Sequence, residues 1–227
     1  MDIGIIGSGN IGGTLAQHLT ALGHQVSMAN SRGPDSLAEL AAKIGATAAT
    51  VEQAARAQDV VIISIPEKAV PQLPRDLLAT TSAVVIDTGN YYPARDGRIA
   101  EIDDGLTESE WVAHVLGTRV VKVFNNISSA SLDTGGIPVR TPERICLPVA
   151  GDEPHAKELV LGLLDELGFD GIDAGTLADS WRQQPGTPAY TKNFDKEGLK
   201  AALAQADAGQ IDSYRAKADE AVRAYFS

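Results

Sequence analysis

A single cysteine, Cys146, occurs in 227 residues, so an intrachain disulfide is impossible and one subunit cannot build a thiolate metal cluster. A reducing compartment fits. Basic residues are also scarce: 19 Lys and Arg stand against 30 Asp and Glu, a formal net charge of −11. A surface of that sign repels a phosphate backbone, which argues against nucleic acid as a partner. No apolar run approaches the roughly 20 residues needed to span a bilayer. No Lys or Arg precedes Arg32, whereas a secretory signal places basic residues before its apolar run. The expectation is a cytoplasmic protein with no membrane partner. The four histidines, His18, His24, His114 and His155, have no partners at metal-ligand spacing, so no metal is expected. Glu101, Asp103, Asp104, Glu108 and Glu110 lack the ordered pattern of a calcium loop and read as a solvated acidic face. No glycine-flanked serine elbow of a hydrolase occurs. What remains is 44% hydrophobic and 22% charged, enough for a core that needs no staple.

The apolar residues alternate between two periods. Short β-branched runs at 3–6, 25–29, 60–65, 83–87, 120–124, 145–149 and 169–174 read as strands; Pro148 weakens the sixth of these. Between them Ile11, Leu15, Leu19 and Leu22 recur at helical spacing, as do Leu159, Leu163, Leu164 and Leu167. Ser36 with Glu39 and Thr50 with Gln53 have the spacing of capping boxes. Strand and helix in turn predict an α/β fold with a doubly wound, mainly parallel sheet. The alternation persists to about residue 174, so the expected organisation is one dinucleotide-binding domain over 1–174. Residues 175–227 form a C-terminal loop and helical extension that closes the site or mediates dimerisation. In that extension Ile211, Tyr214, Ala218, Val222 and Tyr225 fall near one helical face.

Gly7, Gly9 and Gly12 form G-x-G-x-x-G between the first strand and the first helix. In this context the first glycine permits a tight turn, the second lets the backbone approach a pyrophosphate, and the third allows close helix packing. The helix N-terminus offers its free N–H groups to the phosphates. At the end of the second strand, where an NAD site places a carboxylate for the ribose hydroxyls, the chain reads Asn30-Ser31-Arg32. A guanidinium fork there binds a 2′-phosphate. The expected cofactor is therefore NADP.

The segments Gly7-Ser8-Gly9-Asn10-Ile11-Gly12, Asn30-Ser31-Arg32, Ser64-Ile65-Pro66, Val121-Lys122-Val123-Phe124-Asn125-Asn126, Val149-Ala150-Gly151-Asp152 and Asp173-Ala174-Gly175 resemble the coenzyme F-420-dependent NADP oxidoreductase family. That family is itself similar to the NADP-binding domain of six-transmembrane ferric reductases. The resemblance implies a Rossmann subunit, usually a homodimer, in which NADP and a flavin-like acceptor lie face to face for hydride transfer. It places Gly7, Ser8, Gly9, Asn10, Ile11, Gly12 and Asn30 at the nucleotide, with Ser31 and Arg32 on the 2′-phosphate. Ile65 and Pro66 would line the nucleotide, and Asn125 and Asn126 would lie near the nicotinamide. The stretch 181–190 is far more polar than the apolar C-terminal part that covers the deazaflavin in that family.

Hydride transfer between two ring systems needs stacking and distance control more than an acid or base. Should the acceptor instead be a small carbonyl or imine, a proton donor is required, and Lys122, Tyr190 and Asn126 are the candidates. Lys122 in a β-branched run either faces a ligand or snorkels at a sheet edge. A non-catalytic NADP-binding redox sensor is the third alternative, supported by the shortage of acid-base residues.

Overall fold

The computed structural model describes residues 1–223. Strands β1 (Asp2–Ile6), β2 (Gln25–Ala29), β3 (Thr47–Ala48), β4 (Val60–Ile63), β5 (Val84–Asp87) and β6 (Val120–Lys122) form one parallel sheet in the order β3-β2-β1-β4-β5-β6. The order reverses between β1 and β4, which opens a crevice at their carboxyl ends. Strands β7 (Cys146–Val149) and β8 (Asp170–Asp173) make a second parallel pair. An antiparallel bridge between Lys122 and Ala150 joins it to β6. The mainly parallel Rossmann-like sheet and the C-terminal helices, Lys196–Gln205 and Ile211–Val222, agree with expectation.

Alternation along the strands divides the core. Ile3, Ile5, Val60 and Ile62 pack on one face with Leu15 and Leu19 of the Asn10–Ala21 helix and Leu163 and Leu164 of the Pro154–Glu166 helix. Ile6, Val61 and Ile63 pack on the other with Leu78, Trp111, Val112 and Leu116. Because both faces of β1 and β4 are covered, their sequences read as nearly continuous apolar runs.

Several local expectations are corrected. Ser36 does not cap: its hydroxyl donates to Asn30 Oδ1 at 3.1 Å and to the Gly33 carbonyl at 2.8 Å, and a 3₁₀ turn, Pro34–Leu37, precedes the Ala38–Ile44 helix. Thr50 and Gln53 do form a capping box, but the helix it starts is one turn, Val51–Ala54. Strand β3 has only two residues and escaped the periodicity. Glu108 is not on a solvated face. It opens the Glu108–Leu116 helix, whose cap is Thr107, and is 1% exposed. Tyr225, assigned to the C-terminal stripe, lies outside the described residues.

Pro148 is tolerated in β7 because the neighbouring donor on that edge, Cys146 N, turns away from β8 to the Phe194 carbonyl. Arg144 is fully buried and binds the carbonyls of Asp165, Gly168 and Phe169 and the carboxylate of Asp165. It thereby ties the loop before β7 to the end of the Pro154–Glu166 helix. Asp165 is held down to about 2 by its hydrogen bonds from Arg140 and Arg144. Among the described residues no helix is long and apolar enough to cross a membrane.

Candidate active site

The first turn of the crevice is built by steric necessity. Gly7 has φ +121°, a conformation L side chains rarely adopt, and a Cβ there would collide with the Ser64 carbonyl at the end of β4. A Cβ on Gly12 would collide with the Gly7 carbonyl, so the Asn10–Ala21 helix could not approach its strand. Gly9, by contrast, faces open space. It is the N-cap of that helix, and no side chain caps it and no acid occupies the first turn. The free N–H groups and the positive end of the helix dipole therefore face the cleft.

That cleft has a volume of about 680 Å³ and is lined by Gly7, Ser8, Gly9, Asn30, Ser31, Arg32, Ile65 and Pro66, among others. Asn10 and Ile11 open the helix beside it, and Gly12 is buried beneath. Asn30 locks two walls together: its Nδ2 donates to Ser8 Oγ at 3.2 Å, and its Oδ1 accepts from Arg32 N at 2.9 Å. Ser31 and Arg32 are exposed at the rim. Among the described residues nothing pairs with the Arg32 guanidinium, so it is free to meet an anion. Glu52 is the one carboxylate on this lining. A backbone N–H and the Thr50 hydroxyl hold it below the usual range. The glycine cradle, the uncapped helix and the unpaired guanidinium fit a phosphorylated dinucleotide. A separate hollow of about 460 Å³ beside Ala83, Val84, Arg119 and Val120 is at the amino ends of β5 and β6, the wrong end of a doubly wound sheet for ligand binding.

Farther along the same edge, the chain turns sharply after β6. Phe124, buried and not glycine, has φ 64°, a strained conformation that the surrounding packing must hold. The turn places Asn125 and Asn126 under the segment 183–191. Asn125 Nδ2 donates to Asn90 Oδ1 at 3.1 Å and to the Gln183 carbonyl at 2.7 Å, and Gln183 Nε2 returns a bond to Asn125 Oδ1 at 2.9 Å. Asn125 is thus outside the cleft lining and saturated by protein partners. Asn126 is 1% exposed, and its Oδ1 has no hydrogen-bond partner among the described residues. Tyr190 bonds the Tyr92 hydroxyl and accepts from Asn90 Nδ2 at 3.4 Å. Burial pushes the phenols of Tyr92 and Tyr190 up, so both stay neutral.

Lys122 neither faces the cleft nor snorkels. Its ammonium is fully buried, 2.6 Å from the Gly89 carbonyl, 3.2 Å from Asp87 Oδ2 and 3.7 Å from Glu108 Oε2. Asp87 also accepts from Ser109 Oγ at 2.6 Å and from Gly89 N at 2.8 Å. With Glu67, 0% exposed, the group gathers three carboxyls about one ammonium. Sequence reading missed this cluster. Its one legible signal is a polar residue ending an apolar strand in register with a lysine in the next: Asp87 pairs with Lys122 across β5 and β6.

Burial pushes Glu108 up to about 7, against the opposing pull of Lys122. The folded protein thus retains a proton that the unfolded chain has released, and stability falls as pH rises from the ordinary glutamate range to about 7. Glu108→Gln keeps an acceptor without the charge. It is expected to gain about 1–3 kcal/mol over the parent at pH 8 and little at pH 4.5. Urea midpoints that differ equally at both pH values would contradict this.

Residues 2–91 match the family described as NADP oxidoreductase, coenzyme F420-dependent. The solved structure of a hypothetical protein, SMa0349, from Sinorhizobium meliloti is 32% identical, with a TM-score of 0.72 over 86% of this chain and 96% of that one. A structure from Arthrobacter sp. FB24, named for a proposed F420-dependent NADP reductase activity, has a TM-score of 0.65. It covers 79% of this chain and 87% of its own at 21% identity, which speaks to the fold. Among curated proteins, YjhV of Escherichia coli K12 is 34% identical over 79 residues, 35% of this chain. The chain thus spans 58% of the length of that relative.

Proposed function

We propose that the chain, whose residues 2–91 match the coenzyme F420-dependent NADP oxidoreductases, binds NADP(H) in the cleft after β1 and passes a hydride between it and a flavin-like or deazaflavin acceptor. The observation that carries this reading is one cleft holding an uncapped helix N-terminus and, at the tip of β2, an unpaired Arg32 where a ribose-binding carboxylate would select NAD. When bound, the nicotinamide supplies the hydride chemistry. The chain supplies the rest. The helix end and Ser8 hold the pyrophosphate, Ser31 and Arg32 take the 2′-phosphate, and Ile65 and Pro66 wall the nucleotide. The segment 183–191, stitched to Asn125 and Asn126, closes the carboxyl ends of β5 and β6 against water.

A second reading makes the acceptor a small carbonyl or imine. The hydrogen-bonded pair of neutral phenols, Tyr92 and Tyr190, favours it, since it places an O–H donor at the carboxyl edge of the sheet.

Stopped-flow oxidation of NADPH separates the readings. Transfer to a deazaflavin or a free flavin is the expected result. Turnover confined to carbonyls or imines, and lost in Tyr190→Phe, supports the second reading. Binding of NADPH without transfer to any of these acceptors overturns both.

A further inference from the structure

Glu67 follows Ile65 and Pro66 of the cleft wall, yet its side chain turns inward. Both carboxyl oxygens are buried and have no hydrogen-bond partner among the described residues. They lie against Gly89 at the carboxyl end of β5, in space that a Cβ at position 89 would fill. The charged groups facing Glu67 come from every neighbouring element: Asp87 from β5, Lys122 from β6, Glu108 from the Glu108–Leu116 helix and Asp96 from the Pro93–Asp96 helix. Asp96 is already ion-paired with Arg95 at 2.8 Å. Lys68, next to Glu67 on the 3₁₀ turn Glu67–Gln72, points away to the Arg95 carbonyl at 2.8 Å. Lys122 is committed to Asp87 and the Gly89 carbonyl. Among the described residues no cation is left over for Glu67. Burial, reinforced by Asp87, pushes its carboxyl well above the usual range, and a buried carboxyl with neither a hydrogen-bond donor nor a cation of its own favours the neutral acid.

Strand order decides what such an acid can sense. With the phosphates at the glycine turn and Arg32 on the β1–β2 side, as the NADP reading has them, the far end of an extended dinucleotide would fall on the β4–β5 side of the crevice. Glu67 lies on that side. We propose that Glu67 is a coenzyme-linked proton switch: it stays protonated when the cleft is empty or holds the reduced coenzyme, and releases its proton to solvent when the oxidised coenzyme, with its positively charged ring, binds.

The step moves one proton and no electrons. The O–H bond of Glu67 breaks, the proton goes to solvent, and the carboxylate becomes the countercharge of the ring. The same linkage makes NADP⁺ affinity rise with pH by up to about tenfold per unit while NADPH affinity does not share that slope. The inference rests on the NADP reading of the cleft.

Isothermal titration at pH 7 in two buffers of different ionisation enthalpy, Pipes and Tris, counts the protons released. The expected result is release of close to one more proton with NADP⁺ than with NADPH. The 2′-phosphate, common to both, cancels in that difference. In Glu67→Gln both coenzymes bind and the difference vanishes. Equal release with the two coenzymes in the parent protein overturns the proposal without recourse to any variant, and so does a difference that survives in Glu67→Gln. If neither coenzyme binds, the NADP reading itself falls and takes this inference with it. Equal release with both bound removes only the switch.

Discussion

Arg32→Ala is expected to weaken NADPH binding about 10- to 100-fold while changing NADH affinity by less than about twofold. The range follows from hydrogen bonds to a charged group, worth about 1.5–3 kcal/mol, at about 1.4 kcal/mol per decade. The structure supports a clean reading of this variant. Arg32 is exposed and its guanidinium supports nothing else among the described residues, whereas its backbone N–H keeps the bond to Asn30 Oδ1. The alanine variant therefore retains the turn and loses only the fork. Arg32→Lys should recover part of the affinity, because an ammonium keeps the charge but not the two-pronged geometry. Raising the salt should narrow the gap between parent and variant, as expected of an exposed charge. Titration calorimetry with both coenzymes checks all three expectations. Equal loss for NADPH and NADH would show that Arg32 acts on the turn and not on the phosphate.

Much of the geometry of this cleft was legible because it is local. A glycine turn, a helix start and the residues ending the next strand all fall within 32 positions, and each role belongs to a residue type that few others can replace. The strands were legible for a related reason: those covered on both faces must be apolar throughout, as Val60–Ile63 is. Elements that depend on distant partners were not. Ser36 had the spacing of a cap, but Asn30 Oδ1 and the Gly33 carbonyl take its hydroxyl first. Glu108 stood in an acidic stretch, and only the docking of its helix over β5 and β6 buries it beside a lysine. Lys122 was ambiguous for the same reason, since its partner Asp87 is 35 residues earlier in the chain. The family resemblance places Asn125 near the nicotinamide, and its bond to Gln183 is invisible in sequence because it requires the C-terminal segment to fold back over β6. Side chains whose role is set by a neighbour remote in sequence carry no periodic signature.

Lys122→Met tests the cluster that this remote pairing creates, and it is expected to cost about 3–5 kcal/mol at pH 8. Methionine fills similar volume, so little of the loss comes from a cavity. The cost arises because Asp87, 1% exposed, keeps the bonds from Ser109 and Gly89 but loses the ammonium that balances its charge. The Gly89 carbonyl loses its short bond to Nζ at the same time. With no ammonium nearby, the pull that opposes desolvation at Glu67 and Glu108 is gone, and their affinity for protons rises further. The folded variant therefore binds more protons than its unfolded chain, and its deficit relative to the parent shrinks as pH falls toward 5. Adding Asp87→Asn to Lys122→Met removes the stranded charge and should restore part of the loss at pH 8, with little effect at pH 5. Urea unfolding of the three proteins at both pH values measures this. A deficit below about 1 kcal/mol, or one independent of pH, would mean that water or relaxation reaches the cluster and that β5 and β6 hold together by apolar packing alone. The expected pattern makes the ammonium the group that lets a neutral acid sit beside an ionised one, and so the support for the behaviour assigned to Glu67.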